Sequence, residues 1–257
     1  MERNAGNKVV LVTGATSGIG RSVALRFAEN AARVVAVGRD PEALREVGDA
    51  IKSAGGEPLT VAADVTKDED VRHLIQHALN EFGRLDVLVN AAGHISNGSI
   101  ENTSLAAWDK MLDVNLRAVF HLMQIATPHL IETQGNIVNI SSVAGLRSFP
   151  GVLAYCVSKA GVDQLTRCAA LELAPKNVRV NAVNPGVVIT EIHKRGGMGE
   201  EDYQNFLERS KTTHPIGRVG QPSEVAELVF YLASEKASWI TGATYSIDGG
   251  RALTCAR

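Results

Sequence analysis

The stretch Thr13-Gly14-Ala15-Thr16-Ser17-Gly18-Ile19-Gly20 decides the fold. Before it runs KVVLVT at 8–13, a short apolar β-rich segment; after it, 21–29 has helical periodicity, and a second apolar run follows at 33–37. Strand, glycine-rich turn, helix and strand in that order form a βαβ unit. Glycines at such a turn let backbone N–H groups approach a phosphate closely at the positive end of the helix. The turn residues Gly14, Thr16, Ser17, Gly18, Ile19 and Gly20 are therefore expected to hold the pyrophosphate of a dinucleotide.

The same alternation continues along the chain. Apolar runs expected to be strands fall at 8–13, 33–37, 57–63, 85–90, 136–141, 178–183 and 243–247, with helical patterns in most of the intervals. This pattern predicts a single α/β domain over residues 1–257, built on a parallel sheet buried on both faces. The one long irregular stretch, 191–215, is expected to be a loop, either a lid on the substrate side or a mobile surface segment.

Composition excludes several classes. Of 257 residues, 45% are apolar and 21% charged, so the chain is neither disordered nor fibrous. Its 26 basic and 28 acidic residues give a net charge of -2, which offers no overall attraction to nucleic acid or anionic lipid. No run is long and apolar enough for a membrane span, and the opening MERNAGNK lacks the apolar core of a signal peptide. Cys156, Cys168 and Cys255 are odd in number and form no CxxC, which fits a reducing, cytoplasmic setting with the cysteines as packing residues.

Helical wheels separate surface from core. In 71–82 the apolar residues share one face and His73 and His77 point away, so this HxxxH is expected to be solvated, and no metal site is expected. In 108–131 the apolar residues cover about 240° of the wheel, well beyond the ~100° stripe that one sheet requires. The helix after Tyr155 is similarly apolar, with Val157, Val162, Leu165, Cys168, Leu171 and Leu173 dispersed around it. These two helices are expected to form a self-association surface, giving a homodimer or homotetramer.

Two positions carry chemistry. The second strand ends in Gly38-Arg39, where such folds often place an acidic residue on the adenosine ribose. An arginine there can bind a 2′-phosphate through charge-assisted bonds, which favours NADP(H) over NAD(H). Asp40 is the rival ribose ligand, although Asp40-Pro41 has the form of a helix N-cap and first-turn proline. Tyr155 and Lys159 form the chain's YxxxK pair, one helical turn apart. A phenol of pKa ~10 needs about three units of lowering to act as a base near neutral pH, which Lys159 together with an oxidised nicotinamide is expected to supply.

With TGATSGIG, NAAG at Asn90-Ala91-Ala92-Gly93, Ser142 thirteen residues before Tyr155, YxxxK, and Pro185-Gly186 with Thr190, the chain resembles the short-chain dehydrogenase/reductase family from about residue 8 to 250. Its 3-oxoacyl-carrier-protein-reductase branch is the most similar. The resemblance implies a Rossmann-type sheet of order 3-2-1-4-5-6-7 and hydride transfer between a nicotinamide and a carbonyl or secondary alcohol. It implies Tyr155 as acid/base, Lys159 on the nicotinamide ribose, Ser142 orienting the substrate oxygen, and Asn115 holding a water in a proton relay. The choice of Ser142 over Ser141 rests on the family spacing. Asp64 and Val65 would flank the adenine, Asn90 the ribose, and Thr190 the carboxamide, with Ala91, Gly93, Pro185, Gly186 and Val188 completing the cofactor site. Where the family more often has NNAG, Ala91 stands in second place.

Three further readings remain at this point. One is reduction of a 3-oxoacyl carrier protein, for which Lys176 could supply one docking charge while Thr133 stands where the other is expected. Another is an NAD-dependent alcohol, steroid or sugar dehydrogenase. The third is a nucleotide-binding regulator without turnover, against which the intact Ser142, Tyr155 and Lys159 argue. Pocket positions are expected at His94, Leu146, Arg147, Phe149, Pro150, Val188 and residues 191–215; His193-Lys194-Arg195 reads as a solvated basic run.

Overall fold

The computed structural model describes residues 8–254, so Cys255 and the first seven residues lie outside it. Strands β1 (Val9–Thr13), β2 (Arg33–Gly38), β3 (Glu57–Ala62), β4 (Val87–Asn90), β5 (Asn136–Ile140), β6 (Arg179–Pro185) and β7 (Thr244–Ile247) form one sheet. Its order is β3-β2-β1-β4-β5-β6-β7, and every pairing is parallel. The strand expectations hold to within a few residues at each end. The order reverses beside β1, which opens a crevice at the carboxyl ends of β1 and β4, where open α/β sheets bind ligands.

Strand alternation divides the core between the two faces. Val10, Val12, Val34 and Ala36 face α1 (Gly18–Ala28), α2 (Pro41–Ser53) and α10 (Pro222–Leu232) through Phe27, Leu44, Val47 and Val229. Val9, Leu11, Val35 and Leu88 face α3 (Asp68–Phe82), α5 (Ala118–Thr133) and α7 (Leu153–Leu173) through Leu74, Ile75, Leu122 and Val162. The central strands are buried on both sides, which is why β1 reads as an almost unbroken apolar run and the polar residues Asn90 of β4 and Asn139 of β5 are paired inside the sheet. Edge strand β3 exposes Glu57 and Thr60 and tolerates Pro58.

Asp40 caps α2 as its sequence suggests, accepting from the Glu42 and Ala43 amides at 2.9 and 3.3 Å. His73 and His77 are exposed, and no metal-binding cluster occurs among the described residues. The 108–131 segment is not one regular helix. It runs as α4 (Leu105–Leu112), a π-helical turn at Asp113–Arg117, and α5, and the turn's extra residue swings Asn115 into the interior.

Two expectations are corrected. Residues 191–215 are mostly helical, as α8 (Ile192–Arg195) and α9 (Glu200–Thr213), because Tyr203, Leu207 and Ser210 recur on one buried face. Gly196, Gly197 and Gly199 obscure that period in the sequence. Cys156 and Cys168 are both free and both on α7, but only Cys156 is buried; Cys168 is exposed and packs no core. No helix among the described residues is long and apolar enough to cross a membrane.

Candidate active site

A cleft of about 940 Å³ lies over the carboxyl ends of the strands, within the roughly 300–1,000 Å³ range of ligand sites. At its floor β1 turns into α1 under tight constraints. Gly14 and Gly18 have φ of +65° and +54°, a region that side chains with a Cβ adopt only with strain. A Cβ on Gly20 would sit 2.3 Å from the Gly14 carbonyl oxygen. Thr13 ties this turn to the segment after β4, its hydroxyl accepting from the Ala91 and Ala92 amides at 3.1 Å each. The NAAG segment is thus anchored from β1 although Ala91 carries no amide side chain.

Gly14, Thr16, Ser17, Gly18, Ile19, Gly20, Arg39, Asp64, Val65, Ala91 and Gly93 line one part of the cleft, and Ser142, Tyr155, Lys159, Pro185, Gly186, Val188 and Thr190 another. Two expected residues do not line it. Asn90 is buried, and its amide donates to Asn139 Oδ1 at 2.8 Å, while Asn139 donates to Thr166 on α7 at 2.9 Å. The Asn90 side chain therefore belongs to the sheet interior. Asn115 is fully buried; its Oδ1 accepts from the His94 amide at 2.8 Å, and its Nδ2 faces the His94 carbonyl and Ser158 at 2.8 and 3.1 Å. That amide is committed to the main chain on both sides of His94.

The structure separates the two neighbouring serines. Ser141 donates its hydroxyl to the Lys159 carbonyl at 3.2 Å, so it faces α7. Ser142 caps the short helix α6 (Val143–Leu146), accepting from the Ala144 amide at 3.1 Å, and its hydroxyl also hydrogen-bonds Tyr155. Behind them lies the buried carboxyl of Asp163, which burial pushes up; its partners include Ser141 and Asn184, whose amide also donates to the Ser142 carbonyl at 3.0 Å. A Cβ on Gly145 would lie 2.5 Å from Asp163 Oδ2, so α6 packs on α7 only with glycine there.

The phenol and the ammonium are both shifted by burial. Tyr155 is pushed up to about 12, the bond with Ser142 offsetting only part of the loss of hydration. Lys159 is brought down to about 8 by burial, partly offset by Asp163. Its Nζ donates to the Ile140 carbonyl at 2.8 Å and stands 5.8 Å from the Tyr155 ring centroid. The protein's own groups therefore leave the phenol protonated, and the lowering expected from Lys159 is not supplied by Lys159 alone.

Other pocket expectations divide. His94, Phe149 and Pro150 line the cleft, as do Ile192, His193 and Arg195 of α8 and Phe206 and Arg209 of α9. Leu146 and Arg147 do not; Arg147 turns away and donates to the Ala252 carbonyl at 3.0 Å. The basic run is also divided. Lys194 pairs with Glu191 and Glu200 at 2.9 and 3.1 Å, whereas Arg195 crosses to the Ser17 hydroxyl at 2.9 Å. Sequence reasoning gave Lys110 and Arg251 no place in the cleft, and both line it.

The chain matches, over residues 14–252, a family model described as enoyl-(acyl carrier protein) reductase. It is 38% identical over 251 residues to a cyclohexanol dehydrogenase of Acinetobacter sp. (strain SE19), covering 97% of this chain and 96% of that one. It is equally identical over 247 residues to a 3-oxoacyl-(acyl-carrier-protein) reductase of Thermotoga maritima, covering 95% and 97%. A solved short-chain dehydrogenase/reductase of unknown function from Caenorhabditis elegans, with cofactor, superposes with a TM-score of 0.93 at 36% identity, covering 98% and 97% of the two chains. The chain thus belongs to the short-chain dehydrogenase/reductase family, in the branch that holds the 3-oxoacyl-carrier-protein reductases. Its relatives interconvert alcohols and carbonyls, and this chain is an oxidoreductase of that class using a nicotinamide cofactor.

Proposed function

We propose that the protein is an NADP(H)-dependent carbonyl reductase, or secondary-alcohol dehydrogenase in reverse, with Tyr155 as its acid/base. The observation that carries this reading is the convergence of Tyr155, Ser142 and Lys159 on a cleft floored by a turn whose glycines cannot accept a Cβ. That cradle fits a diphosphate: backbone N–H groups, a helix N-terminus, and Arg195 over Ser17. Arg39, exposed at the end of β2, supports the 2′-phosphate reading, and the capping bonds made by Asp40 count against its rival. A bound nicotinamide supplies the hydride to the carbonyl carbon, or receives it from the alcohol.

In reduction, Tyr155 Oη gives its proton to the developing alkoxide, and a phenol held protonated suits that role. Ser142 stabilises the same oxygen by hydrogen bonding. Lys159 contributes positive charge beside the phenol and would hold the nicotinamide ribose. Asn115 fixes the segment after Gly93 through both polar groups of His94. Oxidation reverses the proton path. Titration with NADPH and NADH, followed by a ketone panel, tests the reading: NADPH is expected to bind more tightly and be consumed. Equal affinities would remove the role of Arg39, and failure to oxidise NADPH with any ketone would remove the reductase.

Self-association is supported by Phe120, Val157 and Leu171, which are 49%, 44% and 79% exposed on α5 and α7. A homotetramer or homodimer is proposed on that ground, and a cytoplasmic setting on the free state of Cys156 and Cys168. The carrier-protein reading lacks its second charge, since the Thr133 hydroxyl donates to the Leu85 carbonyl at 2.7 Å.

A further inference from the structure

The charges around the cleft are one-sided. Its only carboxylate among the described residues is Asp64, at the end of β3, which accepts from the Thr66 hydroxyl at 2.8 Å. Apart from Lys159, held beside Tyr155, the cations divide into two groups. Arg39 and Arg195, beside the second strand and the glycine-rich turn, are placed for an anionic dinucleotide. Lys110, Arg209 and Arg251 are not on those elements. They come from α4, from α9 and from the 3-10 turn at Arg251–Leu253.

These three belong to the substrate end. Lys110 lies one helical turn before Val114, which also lines the cleft, and close before Asn115, which holds His94. Arg209 follows Phe206 by one turn on α9, and Phe206 packs on His193 with ring centroids 4.6 Å apart. The Arg251 guanidinium lies 4.9 Å from the centroid of Phe149, between Ser142 and Tyr155 in sequence. Elsewhere on this flank the basic side chains are paired: Lys194 with Glu191 and Glu200, and Lys211 with Glu208. Lys110, Arg209 and Arg251 form no ion pair with any described residue. Asp248, the carboxylate that acts on Arg251, is engaged by the Gly250 and Ala252 amides at 3.0 and 2.7 Å.

Of these three, the charge of Lys110 is felt at His94. His94 is lowered first by burial and then by Lys110, Arg39 and Arg195, with no acid opposing them. Cations lining one cleft without a counter-ion favour an incoming anion. Phe149, Val152 and Phe206 supply apolar surface in the same cleft, suited to a short carbon chain.

We propose that the substrate is an oxo acid, or the matching hydroxy acid, whose carbonyl meets Tyr155 and Ser142 and whose carboxylate meets Lys110, Arg209 and Arg251. The proposal rests on the oxidoreductase reading above and adds the substrate class. In the reductive direction the carbonyl carbon gains the hydride of NADPH, its oxygen gains the Tyr155 proton, and the carboxylate is unchanged. A neighbouring substrate carboxylate is then recognised by charge rather than by chemistry.

The test compares acetoacetate, levulinate and pyruvate with their own methyl esters, using the full chain and NADPH. At least one acid is expected to exceed its ester about tenfold in kcat/KM, equivalent to about 1.4 kcal/mol. The acid-to-ester ratio should fall towards one in Lys110→Gln/Arg209→Gln. In the unaltered protein it should also fall as salt rises from about 0.05 to about 0.5 M, a measurement independent of folding of the variant. Calorimetric binding of the same probes to the NADP⁺-loaded protein gives a readout without turnover, with the acid binding more tightly. Esters equal to or better than acids at every chain length, or an acid preference unaffected by the double substitution and by salt, would overturn the proposal. Titration with NADPH alone identifies failure of the underlying function: a protein that binds NADPH and reduces esters but ignores charge refutes only the oxo-acid assignment.

Discussion

Arg195 donates from Nη1 to the hydroxyl of Ser17 at 2.9 Å, joining the helix after β6 to the glycine-rich turn 178 residues earlier in the chain. One guanidinium therefore spans the mouth of the diphosphate cradle. Charge-assisted bonds of this kind contribute about 1.5–3 kcal/mol. Arg195→Gln is expected to weaken NADPH binding by about tenfold or more, measured by nucleotide fluorescence. Unchanged affinity would show that the contact closes the segment without helping to hold the ligand.

Tyr155→Phe removes the exchangeable proton and leaves the ring in place. Turnover is expected to fall by about 10²–10⁴, the usual contribution of a positioned acid or base, while NADPH still binds. The unaltered enzyme should oxidise alcohols faster as pH rises, because the protonated phenol has to ionise for that direction. Steady-state rates from neutral to alkaline pH check both statements; an active phenylalanine variant would transfer the proton chemistry elsewhere.

Arg39→Ala should reduce NADPH affinity by about tenfold or more and NADH affinity far less, because only the former carries a phosphate beside β2. Parallel titrations give the ratio. Equal losses would place Arg39 in a structural role.

Lys159 makes stability pH-dependent in a direction that can be worked out. Burial lowers its folded pKa to about 8 from 10.5, so between those values the unfolded chain binds more protons. Stability then rises with pH across that window, and below about 8 the full penalty, on the order of 3 kcal/mol, is present. Lys159→Met should abolish the rise in urea-melt free energies. Tyr155, raised to about 12, acts the opposite way at higher pH, where the unfolded phenol ionises first.

Gly145→Ala would bring a methyl to 2.5 Å from Asp163 Oδ2 and 2.9 Å from the Lys159 carbonyl oxygen. The helix carrying Ser142 at its start has to move away, at a cost of about 1–3 kcal/mol. A lower Tm together with a drop in kcat is expected; an unaltered kcat would detach this contact from alignment of the site.

Much of the fold and site is legible in the sequence. The turn at Thr13–Gly20 carries its own punctuation, and Tyr155 and Lys159 share a helix face by spacing alone. Local pattern fails where a side chain's role depends on something distant. Arg195 follows two other basic groups and reads as solvated, yet its partner belongs to the first turn of the chain. Ser141 and Ser142 are chemically identical, and only the backbone's exit from β5 sends one to the Lys159 carbonyl and the other to the Tyr155 hydroxyl. The period of Tyr203, Leu207 and Ser210 was present in α9 but hidden among charges and preceded by three glycines. Asn90 matched a familiar motif by position while its amide served the neighbouring strand.

That amide has a consequence for assembly. Asn90, Asn139 and Thr166 run as a polar thread from β4 through β5 to α7, inside layers otherwise apolar. Hydrophobic strands tolerate sliding past one another, but a slipped β4–β5 pairing would strand buried amides at about 1–3 kcal/mol each. The thread thus pins the β4–β5 register, on which the common level of the strand ends bearing Gly93 and Ser142 depends.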